Sequence, residues 1–363
     1  MRQRIQSVDF LRGFTILLMV LVNTPGSWSS VYNPFLHAEW EGLTLADLVF
    51  PFFLFIVGIS ISIAYKKKTT SSLTYKKIMV RTLKLFLLGI FLNGFLPYFP
   101  FFQNLADLRI PGVLQRIAIV FCITSILYLN VKKRNLIYIS IGLLVGYWIL
   151  LAFIPLPNGM APSLARDPQN WANYIDVLLL KGHTYKPDYD PEGILSTIPS
   201  IVSALLGVFI GELLLSKKPN TIITLLLSAV LLLACGYAWN IAFPINKALW
   251  SSSFVLVTAG YAILILAVAY YVLDYKKIKT GGVFKMVGAN AIIIYFLSML
   301  LSKIFGMVTL PSGVSIHQWL YETIFVHEVI SLKTSSLLYA LAIVAFYAAL
   351  GVFLYKRKIF IKV

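Results

Sequence analysis

Leu43-Thr-Leu-Ala-Asp-Leu-Val-Phe-Pro-Phe-Phe-Leu-Phe-Ile-Val-Gly-Ile-Ser-Ile-Ser-Ile-Ala64 is one apolar run with a single acid, Asp47, near its start and Lys66-Lys-Lys68 just past its end. About 20 apolar residues cover the hydrocarbon core of a bilayer. The run therefore reads as a membrane span, entered at an acid and left at a basic cluster. Nine further runs of this kind follow at 10–22, 78–96, 113–129, 136–154, 194–215, 222–242, 249–273, 283–305 and 335–355. The expected fold class is all-α: a polytopic membrane helix bundle of about ten transmembrane helices, forming one domain over 1–363. Composition agrees, since 59% of the 363 residues are hydrophobic and 12% charged, against about 45–50% and about 25% in soluble domains.

The net charge of +17 would suit nucleic acid, anionic lipid or an anionic substrate, and its distribution decides among them. Most of the Lys and Arg gather at every second junction: Arg2, Arg4 and Arg12; Lys66 to Lys68, Lys76 and Lys77; Lys132, Lys133 and Arg134; Lys217 and Lys218; Lys276, Lys277, Lys279 and Lys285; Lys356, Arg357, Lys358 and Lys362. Basic residues beside spans are retained on the cytoplasmic side. Both termini are thus expected in the cytoplasm, and no nucleic-acid partner is needed. The alternate junctions collect the acids and all four histidines, His37, His183, His317 and His327. Among these junctions is the longest outer loop, 155–193, rich in Pro, Asn, Asp and Trp; loops of that length are commonly functional or disordered. Cys122 and Cys235 fall inside spans without metal-ligand spacing, and no metal is expected.

Charges at membrane depth mark a function or a pairing. Arg81, Lys84 and Glu212 lie near cytoplasmic span ends and can snorkel; Asp9 and Arg12 are three apart and can pair. His37, Asp47, Arg109 and Arg116 all belong to the outer half. Asn23, His37 and Asp47 put an amide, an imidazole and a carboxylate at one membrane rim. An imidazole can take a proton from an attacking nucleophile, a carboxylate can fix its tautomer, and an amide can donate to a developing oxyanion. Equally, Asn23 can simply end the first span, His37 cap a loop and Asp47 cap the second span.

Several blocks carry a resemblance: Ser7-Val-Asp-Phe-Leu-Arg-Gly13, His37-Ala-Glu-Trp-Glu-Gly-Leu-Thr-Leu-Ala-Asp-Leu-Val-Phe-Pro51, Arg109-Ile-Pro-Gly-Val-Leu-Gln-Arg116, Asp190-Pro-Glu-Gly-Ile-Leu-Ser-Thr-Ile198 and Ile245-Asn-Lys-Ala-Leu-Trp-Ser-Ser-Ser-Phe-Val-Leu-Val-Thr258. In order and over nearly the whole chain, the sequence resembles the heparan-alpha-glucosaminide N-acetyltransferase family. The resemblance implies a membrane enzyme, and a homodimer, that takes acetyl groups from cytoplasmic acetyl-CoA as co-substrate and delivers them to the amine of a terminal glucosamine beyond the membrane. It places the family's catalytic histidine on His37 and its active-site asparagine on Asn23, with Asp47 orienting His37.

Around these, Arg12, Arg109, Arg116 and Asn290 are expected to bind CoA, and Glu39, Trp40, Asp190, Glu192, Asn246 and Lys247 the amino sugar. Equally, Arg109 and Arg116 can pair with Asp107 or an acid of the long loop, Asp190-Pro-Glu192 can cap the sixth span, and Asn290 can bond a neighbouring helix. Arg12, Lys66 to Lys68 and Lys279 are expected to offer the CoA phosphates a positive entrance. The chain starts without the large luminal domain and extra span of the lysosomal members. A bacterial inner-membrane protein with His37 facing the periplasm is the resulting expectation. The rival reading is a secondary transporter of a sugar or lipid-linked intermediate, which predicts paired interrupted helices and a midplane site.

Overall fold

The computed structural model describes residues 5–66, 71–216 and 218–361. Arg2, Arg4, Lys67, Lys68, Lys217 and Lys362 lie outside the described residues. Thirteen α-helices are present among those described: α1 (Gln6–Asn23), α2 (Leu45–Tyr65), α3 (Ser72–Gly94), α4 (Val113–Asn130), α5 (Lys133–Phe153), α6 (Trp171–Leu180), α7 (Ile194–Ser216), α8 (Thr221–Trp239), α9 (Ser252–Ala269), α10 (Gly282–Gly288), α11 (Ala291–Met307), α12 (Ile316–Phe325) and α13 (Leu332–Lys356). A π-helical turn, Tyr270–Tyr275, prolongs α9. Extended structure among the described residues is confined to isolated bridges.

Eight helices are long and apolar enough to cross a membrane, and nine if a bent pair counts as one span. Two expectations need correction. The run at 78–96 does form a helix, α3, but Lys76, Lys77, Arg81 and Lys84 leave it less apolar than the others. The run at 283–305 is not continuous. It breaks between α10 and α11 with an 80° bend, at Ala289 and Asn290; the Asn290 backbone leaves helical geometry (φ −123°, ψ 28°), as suits a residue that competes for helix hydrogen bonds. The loop at 155–193 is ordered around the unforeseen α6, started by the Asn170 side chain, which accepts from the backbone N–H groups of Ala172 and Asn173.

Helices α1, α2 and α7 are central, each with 67% of its apolar window buried, whereas α8 and α13 bury 22% and α5 28%. On α8, Leu227 and Leu231 stand 65% and 62% exposed. A helix this apolar and this bare needs hydrocarbon around it. At the centre, α2 and α7 approach until backbones touch: a Cβ on Gly58 would overlap the Ala204 carbonyl, and one on Gly207 the Phe55 carbonyl. Small residues at such crossings let packing contacts replace the absent hydrophobic drive within lipid.

Helices α1 and α2 run antiparallel. Val8 and Leu11 pack with Ile56 and Ile59 in one cluster, Leu17 to Val22 with Ala46 and Val49 in another, and Arg12 donates to Ser60 Oγ at 3.0 Å. The bundle thus has a basic end, holding Arg12, Lys66 and Arg134, and an acid-rich end, holding Asn23, Asp47, Asp190 and Glu192.

Candidate functional site

Residue types at the start of α2 account for the geometry of the acid-rich end. Asp47 sits in the first turn, where a carboxylate is favoured by the unpaired N–H groups and the helix dipole. Its Oδ2 accepts from the Thr44 N–H (3.1 Å), the Thr44 hydroxyl (2.9 Å) and the Ala38 N–H (3.1 Å). Its Oδ1 lies 2.8 Å from His37 Nδ1. The helix-cap and imidazole-orienting readings of Asp47 therefore coexist in one carboxylate, an oxygen for each. Asp47 is 1% exposed at its side chain and His37 45%. A buried acceptor on Nδ1 makes Nδ1 the donor and leaves the Nε2 lone pair free to take a proton.

Lys247 is brought in from the other half of the chain. Glu41 and Asn246 form an antiparallel bridge, and the Gly42 N–H donates to the Ile245 carbonyl at 2.8 Å. This seam sets Lys247 Nζ 3.0 and 3.2 Å from the two His37 ring nitrogens and 3.5 Å from Asp47 Oδ1. Burial lowers the Lys247 pKa, while Asp47 and Glu192 oppose that shift. The turn behind it holds Trp250 at φ 52°, a backbone state that a bulky residue enters only when its surroundings over-determine it. They do so here: the Trp250 indole N–H donates to Ser203 Oγ at 3.0 Å, Phe50 meets the ring edge-to-face, and Arg116 lies over it at 5.1 Å.

The remaining acid-end residues form a support layer. The Arg109 fork binds Asp190 at 2.8 and 2.7 Å and Glu192 at 2.5 Å. Burial disfavours the Arg109 charge, but the two carboxylates outweigh it and raise the pKa further. Asp190 also accepts from the Tyr185 and Glu192 N–H groups and has no side-chain exposure. Arg116 donates to the Gly193 carbonyl and to Ser196 Oγ. Trp40 tacks the long loop down, its indole donating to the Leu164 carbonyl at 2.9 Å with Tyr189 edge-on. Glu39 is exposed beside this layer. Asn23, half-buried, ends α1. Counting from the Arg12–Ser60 contact, it stands level with Val49, about 16 Å along both helices and within one turn of Asp47.

A second feature lies at the basic end: a cavity of about 460 Å³ walled by α1, α2, α3, α4 and the α10–α11 break. Arg12, Ser60, Tyr65, Arg81, Asn290 and Ile361 are among its lining residues. The Asn290 side chain donates to the Ile359 carbonyl at 3.0 Å and accepts from the Ile361 N–H at 3.2 Å, fastening the tail against the cavity. Of the four residues expected to bind CoA, Arg12 and Asn290 meet here. Arg109 and Arg116 do not: they belong to the opposite end, Arg109 held by two carboxylates and Arg116 bonded through Nη2 to Gly193 and Ser196, with its Nε and Nη1 lacking acceptors among the described residues. Asp190 is likewise spent on Arg109 and backbone, with nothing left to offer a sugar.

Arg81 is the residue that sequence reasoning passed over. It does not reach past the end of its helix, but lies over the Phe121 ring at 4.7 Å, its Nε buried without an acceptor among the described residues. Two further histidines of the outer junctions are bonded within the protein. His183 bonds the Leu108 carbonyl at 2.8 Å, and His317 links the Gly26 carbonyl (3.0 Å) to the Tyr339 hydroxyl (3.1 Å). Among the described residues no group of His, Cys, Asp and Glu is arranged to hold a metal.

Comparison with known proteins gives the family. The chain is 34% identical over 350 residues to the human heparan-alpha-glucosaminide N-acetyltransferase, covering 80% of this chain and 52% of that protein. It is 32% identical to the mouse protein of the same name, covering 80% and 53%. It thus spans about half the length of these curated relatives. The sequence model of the catalytic region of heparan-alpha-glucosaminide N-acetyltransferase matches residues 4–234, which include His37, Asp47, Arg81 and Asp190, and the chain therefore belongs to that family.

Proposed function

We propose that the protein transfers an acetyl group from acetyl-CoA, taken up at the basic end, to the amine of a glucosamine-type sugar received at the acid-rich end. One observation carries the reading: a half-exposed imidazole, its Nδ1 fixed by a buried carboxylate, stands at the far end of the helix that walls a cationic cavity. The relatives' name, which joins a glucosaminide to an acetyltransferase, supports the same chemistry. The cavity suits the donor, with Arg12 and Arg81 for phosphate oxygens and apolar walls for the pantetheine arm. Phe53 is its lining residue nearest to Asp47 along α2, six residues or about 9 Å away.

His37 acts as general base through Nε2, Asp47 holding the tautomer and countering the imidazolium as it forms. The amine nitrogen attacks the thioester carbonyl, His37 takes its proton, and the C–S bond breaks to release CoA. Asn23 donates to the acetyl oxygen. Asn246 Nδ2, buried without an acceptor among the described residues, is a second donor for that oxygen or for a sugar hydroxyl. The positive-inside pattern supports a cytoplasmic basic end and His37 facing outward. We extend the homodimer of the family to this chain.

Reconstituted protein supplied with labelled acetyl-CoA and glucosamine tests the reading. N-acetylglucosamine formed in a His37-dependent manner is the expected result. Sugar flux across the vesicle without acetylation would instead establish a transporter.

A further inference from the structure

An acceptor amine has to come within hydrogen-bond reach of its base, about 2.6–3.2 Å. One amine of the chain already stands there: Lys247 Nζ is 3.2 Å from His37 Nε2 and 3.0 Å from Nδ1. A single nitrogen nearly equidistant from both ring nitrogens cannot lie along the lone pair of either, so the ring does not tether it. It is held by Asp47 Oδ1 at 3.5 Å and by the backbone seam of Glu41 and Asn246. Its side chain is 19% exposed, which leaves it enclosed yet reachable from the His37 side. Chemically it is a primary amine, the same nucleophile class as the amine of glucosamine.

We infer that Lys247 Nζ occupies the acceptor-amine subsite of the His37 centre and, when no sugar is present, takes the acetyl group itself. The inference rests on the acetyltransferase reading above and adds to it a modification site and its consequence. The unprotonated Nζ attacks the thioester carbonyl carbon, the N–C bond forms and the C–S bond breaks. The proton leaving Nζ goes to His37 Nε2 and from there to the departing CoA sulfur, giving acetyl-Lys247 and free CoA. Burial of Lys247 enlarges its unprotonated share, against the opposing pull of Asp47 and Glu192, as in other lysines used as nucleophiles. The product is an amide and cannot pass its acetyl group on. It removes the charge facing Asp47 and fills the place of the sugar amine, so an enzyme starved of acceptor switches itself off.

The test uses the full chain in lipid, with isotopically labelled acetyl-CoA and no sugar, followed by peptide mass mapping. Label should enter Lys247 on the order of 100-fold faster than the exposed Lys76 and Lys133, the low end of what a positioned base contributes. Excess glucosamine should abolish labelling of Lys247 and leave the slow surface reaction untouched. His37→Ala should lose the Lys247 label; the competition by sugar on the unaltered protein makes the same point without relying on that variant's fold. Formation of N-acetylglucosamine with Lys247 unlabelled, or labelled no faster than Lys76, would overturn the inference while leaving the acetyltransferase standing. Failure of both sugar and lysine to become acetylated would remove the two together.

Discussion

The two ends of the bundle treat charge differently. At the acid-rich end the carboxylates at the His37 centre and around Arg109 are ion-paired within the protein, Asp47 with His37 and Lys247 and Arg109 with Asp190 and Glu192, while Arg116 is held by neutral groups. At the basic end the cavity is lined by Arg12, Arg81 and Asn290; Arg12 is paired with Asp9 at 3.1 Å, and Arg81 Nε is left without an acceptor among the described residues. A buried donor left unpaired costs about 1–3 kcal/mol, a cost that a phosphate oxygen in the cavity would relieve at Arg81. The ion-paired His37 centre is pre-organised for chemistry, where groups must not move as charge develops. Arg81 in the cavity is placed for binding, where a ligand supplies the acceptor its Nε lacks.

This contrast predicts separable kinetic effects. His37→Ala should lower kcat by about 10²- to 10⁴-fold, the usual contribution of a positioned base, with the KM for acetyl-CoA changed little because the cavity lies at the other end. A large rise in that KM instead would break the division of labour. Asn23→Ala should cost about 10²-fold in kcat, the low end for loss of one oxyanion donor, again without weakening acetyl-CoA binding in a direct titration.

Much of this was legible in the sequence, and the part that was not has a physical explanation. Apolar run lengths reveal spans because the bilayer core has a fixed thickness, and α2, α7 and α9 match their expected runs closely. The break at Asn290 could not be read from run length, because Gly288-Ala-Asn-Ala291 is apolar enough to continue a span. Its signal was the single amide, whose bonds to Ile359 and Ile361 connect positions about 70 residues apart. Lys247 was legible as a residue of interest but not as a neighbour of His37, since a two-residue seam between distant loops has no periodicity. Arg81 was misjudged for a related reason: its place near a helix end permits snorkelling, and only the position of Phe121 on α4 turns it inward.

The cavity end supplies a weaker effect. Arg81→Ala should raise the KM for acetyl-CoA about tenfold, since a hydrogen bond to a charged group contributes about 1.5 kcal/mol at the low end, while kcat stays nearly constant, the signature of lost uniform binding. Arg81→Lys should recover part of the loss, because the charge returns without the guanidinium fork. A kcat effect equal to that of His37→Ala would mean that the two ends act as one site.

The last effect concerns the stability of the acid-rich end and not its kinetics. Asp176 of α6 is a carboxylate with no cation bonded to it in any ion pair among the described residues. Burial pushes its pKa up to about 6, against hydrogen bonds donated by the N–H groups of Ile194 (2.9 Å) and Asp190 (3.3 Å). A carboxyl whose folded pKa lies above its unfolded value of about 3.9 holds its proton more tightly when folded. Its stabilising contribution is complete below about pH 4, declines as pH rises through the window from about 4 to 6, and stays at its lower level above. The full swing is about 3 kcal/mol at most. Asp176→Asn removes the titration while keeping one acceptor. The difference in Tm between the unaltered protein and Asp176→Asn should therefore shift in favour of the variant as pH rises from 4 to 6 and flatten beyond. A pH-independent difference would mean that Asp176 stays ionised when folded throughout that window.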